Sequence, residues 1–332
     1  VQLRRDWLDP VGLYHTEAQQ RLSTTREDSV GQTLVSGYAQ TEVEWTRALR
    51  TTFGLRADVY QFSVTSNNPL NSGDGSDGMI SPKFGAVFGP WSGTEFYANA
   101  GMGFHSNDAR GAVIRVDPVS GEAADRVTPL VRARGAEVGL RTVRIRGLQS
   151  TVALWYLGID SELLFVGDAG TTEAGRPSQR VGVEWSNYAR IRPWLMLDGD
   201  LAWTRARFRD DDPAGNYISG ALERVISAGV TVEPRQPVFG SLRVRHFGPR
   251  PLIEDASVIS KSTTLWNGEA GYRLSAKARV VLEVFNIFDA DVSDIDYFYT
   301  SRLPGEVDEG VDDIHTHPAL PRSAWLGLQV SF

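Results

Sequence analysis

Cysteine is absent from the 332 residues, so no disulfide framework holds this chain, an absence compatible with an oxidising compartment and with the cytosol alike. Long apolar runs are also missing. No stretch approaches the roughly 18 apolar residues that a membrane-spanning helix needs. Basic residues form no block and the net charge is −7, which argues against a nucleic-acid partner. The chain starts at Val1 with no Met and no signal peptide, and reads as processed or as a fragment. The mean hydropathy of −0.24 resembles that of a soluble protein. A transmembrane β-barrel gives the same average, because only alternate residues of each strand meet lipid.

What is present is strict alternation. Charged residues are 23% and hydrophobic residues 41% of the chain, so it is not disordered by composition, and its length suits one large barrel or two ordinary domains. In a strand, successive side chains point to opposite faces. Ala324, Leu326, Leu328, Val330 and Phe332 oppose Trp325, Gly327, Gln329 and Ser331. Val280, Leu282 and Val284 oppose Arg279, Glu283 and Phe285. Val238, Leu242 and Val244 oppose Ser241, Arg243 and Arg245. Leu195, Leu197, Leu201 and Trp203 oppose Asp198, Asp200 and Thr204. Phe53, Leu55, Ala57 and Val59 oppose Arg56, Asp58 and Tyr60, while Val35, Ala39, Val43 and Trp45 oppose Gln40, Glu42 and Glu44.

The pattern predicts about 13 strands, near 31–45, 48–64, 79–89, 93–105, 131–143, 147–159, 178–190, 193–207, 221–233, 237–248, 262–274, 278–288 and 321–332, with a further one near 1–5. No segment shows helical periodicity. Short turns near 46–47, 89–91, 144–146, 192–193, 233–237 and 275–277 alternate with long loops near 65–78, 106–130, 160–177, 208–220, 249–261 and 289–320. Outer-membrane barrels segregate short periplasmic turns from long outside loops in this way. A tilted spanning strand also needs about 9–11 residues, more than most sandwich strands have. Trp and Tyr near strand ends fit interfacial girdles. The expected fold is therefore all-β, an antiparallel transmembrane outer-membrane β-barrel with about 13–14 strands present of a larger barrel. A passive porin or adhesin of about 14 strands is the alternative, and an all-β soluble binding module a third reading.

Two segments carry candidate chemistry. His105 and Ser106 are adjacent, so they point to opposite faces and make no nucleophile–base pair; an enzyme is not expected. His315 and His317 form His-x-His, which in an extended segment puts both rings on one side, a spacing open to a transition metal and equally to loop packing. Asp210-Asp211-Asp212 and the acidic stretch from Asp289 to Asp296 lack the Gly and terminal Glu of an EF-hand loop, and read as solvated surface.

Three segments carry a family resemblance. Glu283-Val284-Phe285-Asn286-Ile287-Phe288-Asp289 resembles the signature near the C-terminal end of TonB-dependent receptor barrels, with Ile287 where Leu is usual. Phe104-His105-Ser106-Asn107-Asp108-Ala109-Arg110-Gly111 resembles a strand-to-loop segment of the same barrels. Tyr299 to Glu306, Asp313 to Pro318 and Pro321-Arg322 are similar to their last loop, leading to the terminal aromatic Phe332, which resembles the barrel-assembly signal. The resemblance implies that residues 1–332 are the C-terminal portion of a barrel of 22 strands, without its plug domain, its TonB-engaging box and its N-terminal strands. It implies location in the outer membrane, and as partners the lipid, the protein's own plug and N-terminal strands, TonB through that plug, and a small-molecule ligand. Active uptake of a scarce siderophore, metal chelate, cobalamin or glycan follows from it, with no cofactor. Candidate ligand-binding residues are His105, Asn107, Asp108 and Arg110 in one loop, and His315 and His317 in the other; any metal is left open.

Overall fold

A computed structural model describes the chain except residues 162, 167–170, 236, 304 and 332, with backbone alone for 163–166 and 171–174. Phe332 of the expected assembly signal thus lies outside the described residues. The strands are β1 (Gln2–Glu17), β2 (Gln20–Thr46), β3 (Leu49–Ser66), β4 (Gly73–Trp91), β5 (Thr94–Ser106), β6 (Leu130–Thr142), β7 (Leu148–Ile159), β8 (Leu163–Val166), β9 (Thr171–Ala174), β10 (Ser178–Arg192), β11 (Leu195–Phe208), β12 (Arg224–Val232), β13 (Val238–Phe247), β14 (Thr263–Arg273), β15 (Ala278–Phe285), β16 (Ser293–Ser301), β17 (Val311–Pro318) and β18 (Ser323–Val330). Fourteen of them form one sheet in chain order, β1 to β7, β10 to β15, then β18; β8–β9 and β16–β17 are separate two-stranded hairpins. The only α-helix among the described residues is α1 (Ala109–Val113), one turn long.

The strand count of the large sheet meets the sequence expectation, but four segments differ. The segment 6–30, left without a strand by the alternation, continues β1 and β2 into a long hairpin closed at Ala18-Gln19, both with positive φ. Its inward positions carry Arg26 and Asp28 instead of apolar residues, so the hydrophobic period fades while the backbone ladder continues. The expected loop 65–78 is shortened because β4 begins at Gly73. The loops at 160–177 and 289–320 are not plain connections: each carries a hairpin of its own, β8–β9 and β16–β17.

The chain divides into two compact units, one of Val1–Val87, Ala98–Ala136 and Leu157–Gln179, the other of Phe88–Tyr97, Glu137–Tyr156 and Arg180–Phe332. In the first, the register stacks Leu3, Val35 and Val59 in one row across β1–β3. All three are exposed on the apolar face. On the other face of the same strands, Val30, Tyr60, Phe62 and Val64 are buried with Met79 under the segment after β5.

In the second unit the register is regular across β11–β15 and β18. Leu195, Val232, Gly240, Ala270, Leu282 and Leu326 form one row, and Leu197, Val230, Leu242, Gly268, Val284 and Ala324 the next. Every inferred apolar position of these strands falls on this face. The opposite face carries Asp198 bonded through both carboxylate oxygens to Arg243 at 3.0 Å, and Arg273 and Arg279 above the Phe239 ring. Tyr272 and Trp266 mark the two ends of the apolar face of β14 and stand roughly 20 Å apart at ~3.3 Å per residue. On strands tilted by about 35–45° this spans roughly 15 Å of height, which fits within an apolar band of about 25 Å flanked by aromatic girdles.

Candidate functional site

The segment between β5 and β6 is built around α1. Asp108 caps the helix: its Oδ1 accepts from the Arg110 backbone N–H at 2.8 Å, and its carboxylate pairs with the Arg110 guanidinium at 2.6 Å. Burial by itself raises the Asp108 pKa, but the hydrogen bonds and charge of Arg110, with Arg26 beyond, outweigh it and hold the carboxyl below the ordinary 3.8. Asn107 is buried and donates from Nδ2 to the Thr128 carbonyl at 2.7 Å, while its Oδ1 has no partner among the described residues. Strand alternation puts Phe104 and Ser106 on the face that lines a small cavity with Tyr60 and Leu130, so His105 takes the opposite face. The His105 Nε2 is buried and without a partner among the described residues.

This segment does not project as a free loop. Ala109, Ala112, Val113, Val127 and Leu130 pack on Val30, Tyr60, Phe62, Val64 and Met79, the polar-facing side of β2–β4. Three groups outside the expected site fix it there. The fully buried Asn71 accepts from the Arg115 and Val116 N–H groups and donates to the Val116 carbonyl. Asp77 accepts from Leu130 N–H, and Arg26, paired with the buried Asp28, reaches the Arg110 carbonyl at 3.4 Å. Sequence reasoning missed Asn71 and Arg26. For Arg26 a signal existed: opposite charges two residues apart share one strand face.

The second candidate segment is the hairpin β16–β17. His315 and His317 lie on one face of β17, opposite Tyr297 and Ile295. The His315 ring stacks on Tyr299 with centroids 3.8 Å apart, and Tyr297 is exposed beside it. No group of three His, Cys, Asp or Glu among the described residues is placed to hold a metal. Asp210, Asp211 and Asp212 line a cavity of about 540 Å³ together with Glu254 and Asp255.

The resemblance motif at 283–289 closes the base of the segment that bears this hairpin. Asn286 adopts positive φ, donates from its backbone N–H to the Asn267 Oδ1 at 3.0 Å, and accepts on its own Oδ1 from Ala290 N–H at 2.9 Å. Its Nδ2 donates to the carbonyls of Ala290 and Leu320. Asp289 accepts from Arg322 N–H at 2.8 Å. The hairpin is further seated by the buried pair Arg250–Asp296 at 3.3 Å and by Thr263 donating to the Ser293 carbonyl.

Fourteen antiparallel strands in chain order, with segregated apolar and ion-paired faces, have counterparts among solved structures. The ferric yersiniabactin uptake receptor FyuA from Yersinia pestis superposes with a TM-score of 0.73 at 16% identity, over 93% of this chain and 48% of that one. The ferric citrate transporter FecA in its unliganded form gives 0.71 at 17% identity, over 95% and 48%. The ferric-catecholate import receptor Fiu from E. coli K12 gives 0.71 at 16%, over 93% and 46%. The chain thus spans about half the length of these solved receptors. No curated protein matches it by sequence. The family described as TonB dependent receptor-like, beta-barrel, matches residues 3–287, and with the sheet order and face pattern in agreement, the chain belongs to the β-barrel family of TonB-dependent receptors.

Proposed function

We propose that these strands form part of the wall of an outer-membrane receptor that imports a scarce metal or metal chelate, in the full-length protein with energy delivered through TonB and a plug. The family match over residues 3–287 carries this reading. Its physical support is the division of faces: an exposed apolar band fit for lipid, and an opposite face where Asp198–Arg243 and Arg141–Glu95 pair charges of both signs. Such a lining suits docking of a plug better than single-sign ion selection. Solved receptors of the same fold import ferric chelates or copper, which supports a metal-bearing cargo over cobalamin or a glycan.

Within this reading His315 and His317, with Tyr297, contact the ligand from the β16–β17 hairpin, because their rings share an exposed strand face. Asn107, Asp108 and Arg110 act through the fixed shape of the segment they hold. The test is accumulation of radiolabelled ferric chelates and copper in cells carrying the full-length protein, with and without TonB. TonB-dependent accumulation is expected. Steady open channels from the intact protein in planar bilayers overturn the reading in favour of a passive porin.

A further inference from the structure

Three arginines on the polar face of β1–β3 are each paired with a carboxylate two residues further on: Arg4–Asp6, Arg26–Asp28 and Arg56–Asp58. Arg5 is on the other face. It is exposed and has no carboxylate partner among the described residues; its guanidinium sits over the Trp7 ring at 5.2 Å. The register shows what surrounds it. The row Leu3–Val35–Val59 is apolar, the next is Arg5–Thr33–Gln61, and the one after is Trp7–Gly31–Ser63. Two steps along the strands therefore take the surface from aliphatic to cationic and amide, then to an aromatic that is 68% exposed.

Gly31 shapes this surface. Having no side chain, it leaves a hollow between Trp7 and Ser63, and a Cβ there would come within 3.2 Å of the Ser63 hydroxyl. The hollow has a volume of about 230 Å³ and is lined by Arg5, Trp7, Thr33, Gln61 and Ser63. It contains an unpaired fork of N–H donors, two hydroxyls and an amide, directly at the edge of the apolar face. Guanidinium is the side chain best matched to phosphate oxygens, and a Trp next to it fits the headgroup level of a bilayer.

We propose that the hollow over Gly31 seats the phosphorylated headgroup of an outer-leaflet lipid. Arg5 pairs with the phosphate, Thr33, Gln61 and Ser63 complete its hydrogen bonds, and Trp7 packs on the glycerol or sugar next to it. The acyl chains then run along Leu3, Val35 and Val59. This rests on the reading of the apolar face as lipid-facing, and adds to it a site for a defined lipid.

The experiment is native mass spectrometry of the full-length protein in detergent micelles doped with lipid A or with its dephosphorylated form. The wild type should retain the phosphorylated lipid at least five-fold over the other. Arg5→Gln should abolish the preference, and Gly31→Val, which fills the hollow without changing charge, should do the same while the protein keeps its heat-modifiable migration. Equal retention of both lipids by the wild type, or an unchanged preference in both variants, overturns the proposal. Binding of inorganic phosphate at the same residues in lipid-free micelles, undiminished by doping with lipid A, overturns the lipid assignment. Loss of the membrane reading itself shows separately, as a protein that stays monodisperse without detergent.

Discussion

Asn286 donates from Nδ2 to the carbonyl of Leu320 at 3.2 Å, across 34 residues of chain. The same side chain also bonds both ways with Ala290, so one amide joins the two ends of the segment that carries β16–β17. The left-handed backbone at 286 turns the chain out of β15, and the buried amide replaces the sheet partners that the turn removes.

Replacing Asn286 by Ala should free this segment without dissolving the sheet. Each buried backbone group left without a partner costs about 1–3 kcal/mol, and Ala tolerates the positive φ less well than Asn. Proteolysis between 290 and 320 should accelerate at least ten-fold in the assembled protein. Asn286→Gly relieves the backbone but not the lost amide, and should be cleaved equally fast; wild-type resistance in Asn286→Gly would show that the backbone, not the amide, holds the segment.

Face assignment is tested at neighbouring residues. Leu282 pairs with Leu326 on the apolar face and Glu283 with Trp325 on the other. Leu282→Arg should impair membrane assembly, since Arg on a lipid face near the midplane costs about 2–4 kcal/mol, whereas Glu283→Gln should assemble normally. Heat-modifiable migration after refolding into vesicles measures both, and equal damage from the two reverses the assignment.

Acid should loosen the α1 segment. The folded pKa of Asp108 is depressed below 3.8, so its contribution is complete above that value and is lost as pH falls through the lower folded value. Hydrogen-exchange protection of the Gly111 and Ala112 amides, which donate to the Asp108 carbonyl, should fall in this range and not above it. Asp108→Asn should show reduced protection at neutral pH and no acid transition; an unchanged transition in this variant assigns it to another group.

Two ion pairs should behave differently. Arg250–Asp296 is buried on both sides, and Asp296→Ala leaves the Arg250 charge unpaired, at a cost of about 3–5 kcal/mol. Arg243–Asp198 is half exposed on the Arg side, and Arg243→Ala should change stability by only about 0–1 kcal/mol. Urea unfolding of the two variants in vesicles provides the comparison, with similar losses counting against the burial argument.

Alternation was legible from side chains alone because a strand facing two different media must repeat every second residue. Leu195, Leu242, Leu282 and Leu328 therefore placed their strands on the correct face before any pairing was known, and the tight turns placed neighbours next to one another. The sequence determined the fold class, the number of strands in the large sheet and the family. It did not determine where the chain leaves that period. Arg26 and Asp28 are buried charges that the local pattern could not place inside, because burial becomes tolerable only when the two pair beneath α1. Asn107, Asp108 and Arg110 read as ligand contacts, yet in the structure they are bonded largely to their own segment. The partner of Asn71 lies 45 residues away and that of Asn286 34 residues away. Local periodicity carries no information about such pairings, because a hydrogen bond between distant segments depends on where the sheet places both ends; only the tertiary structure decided them.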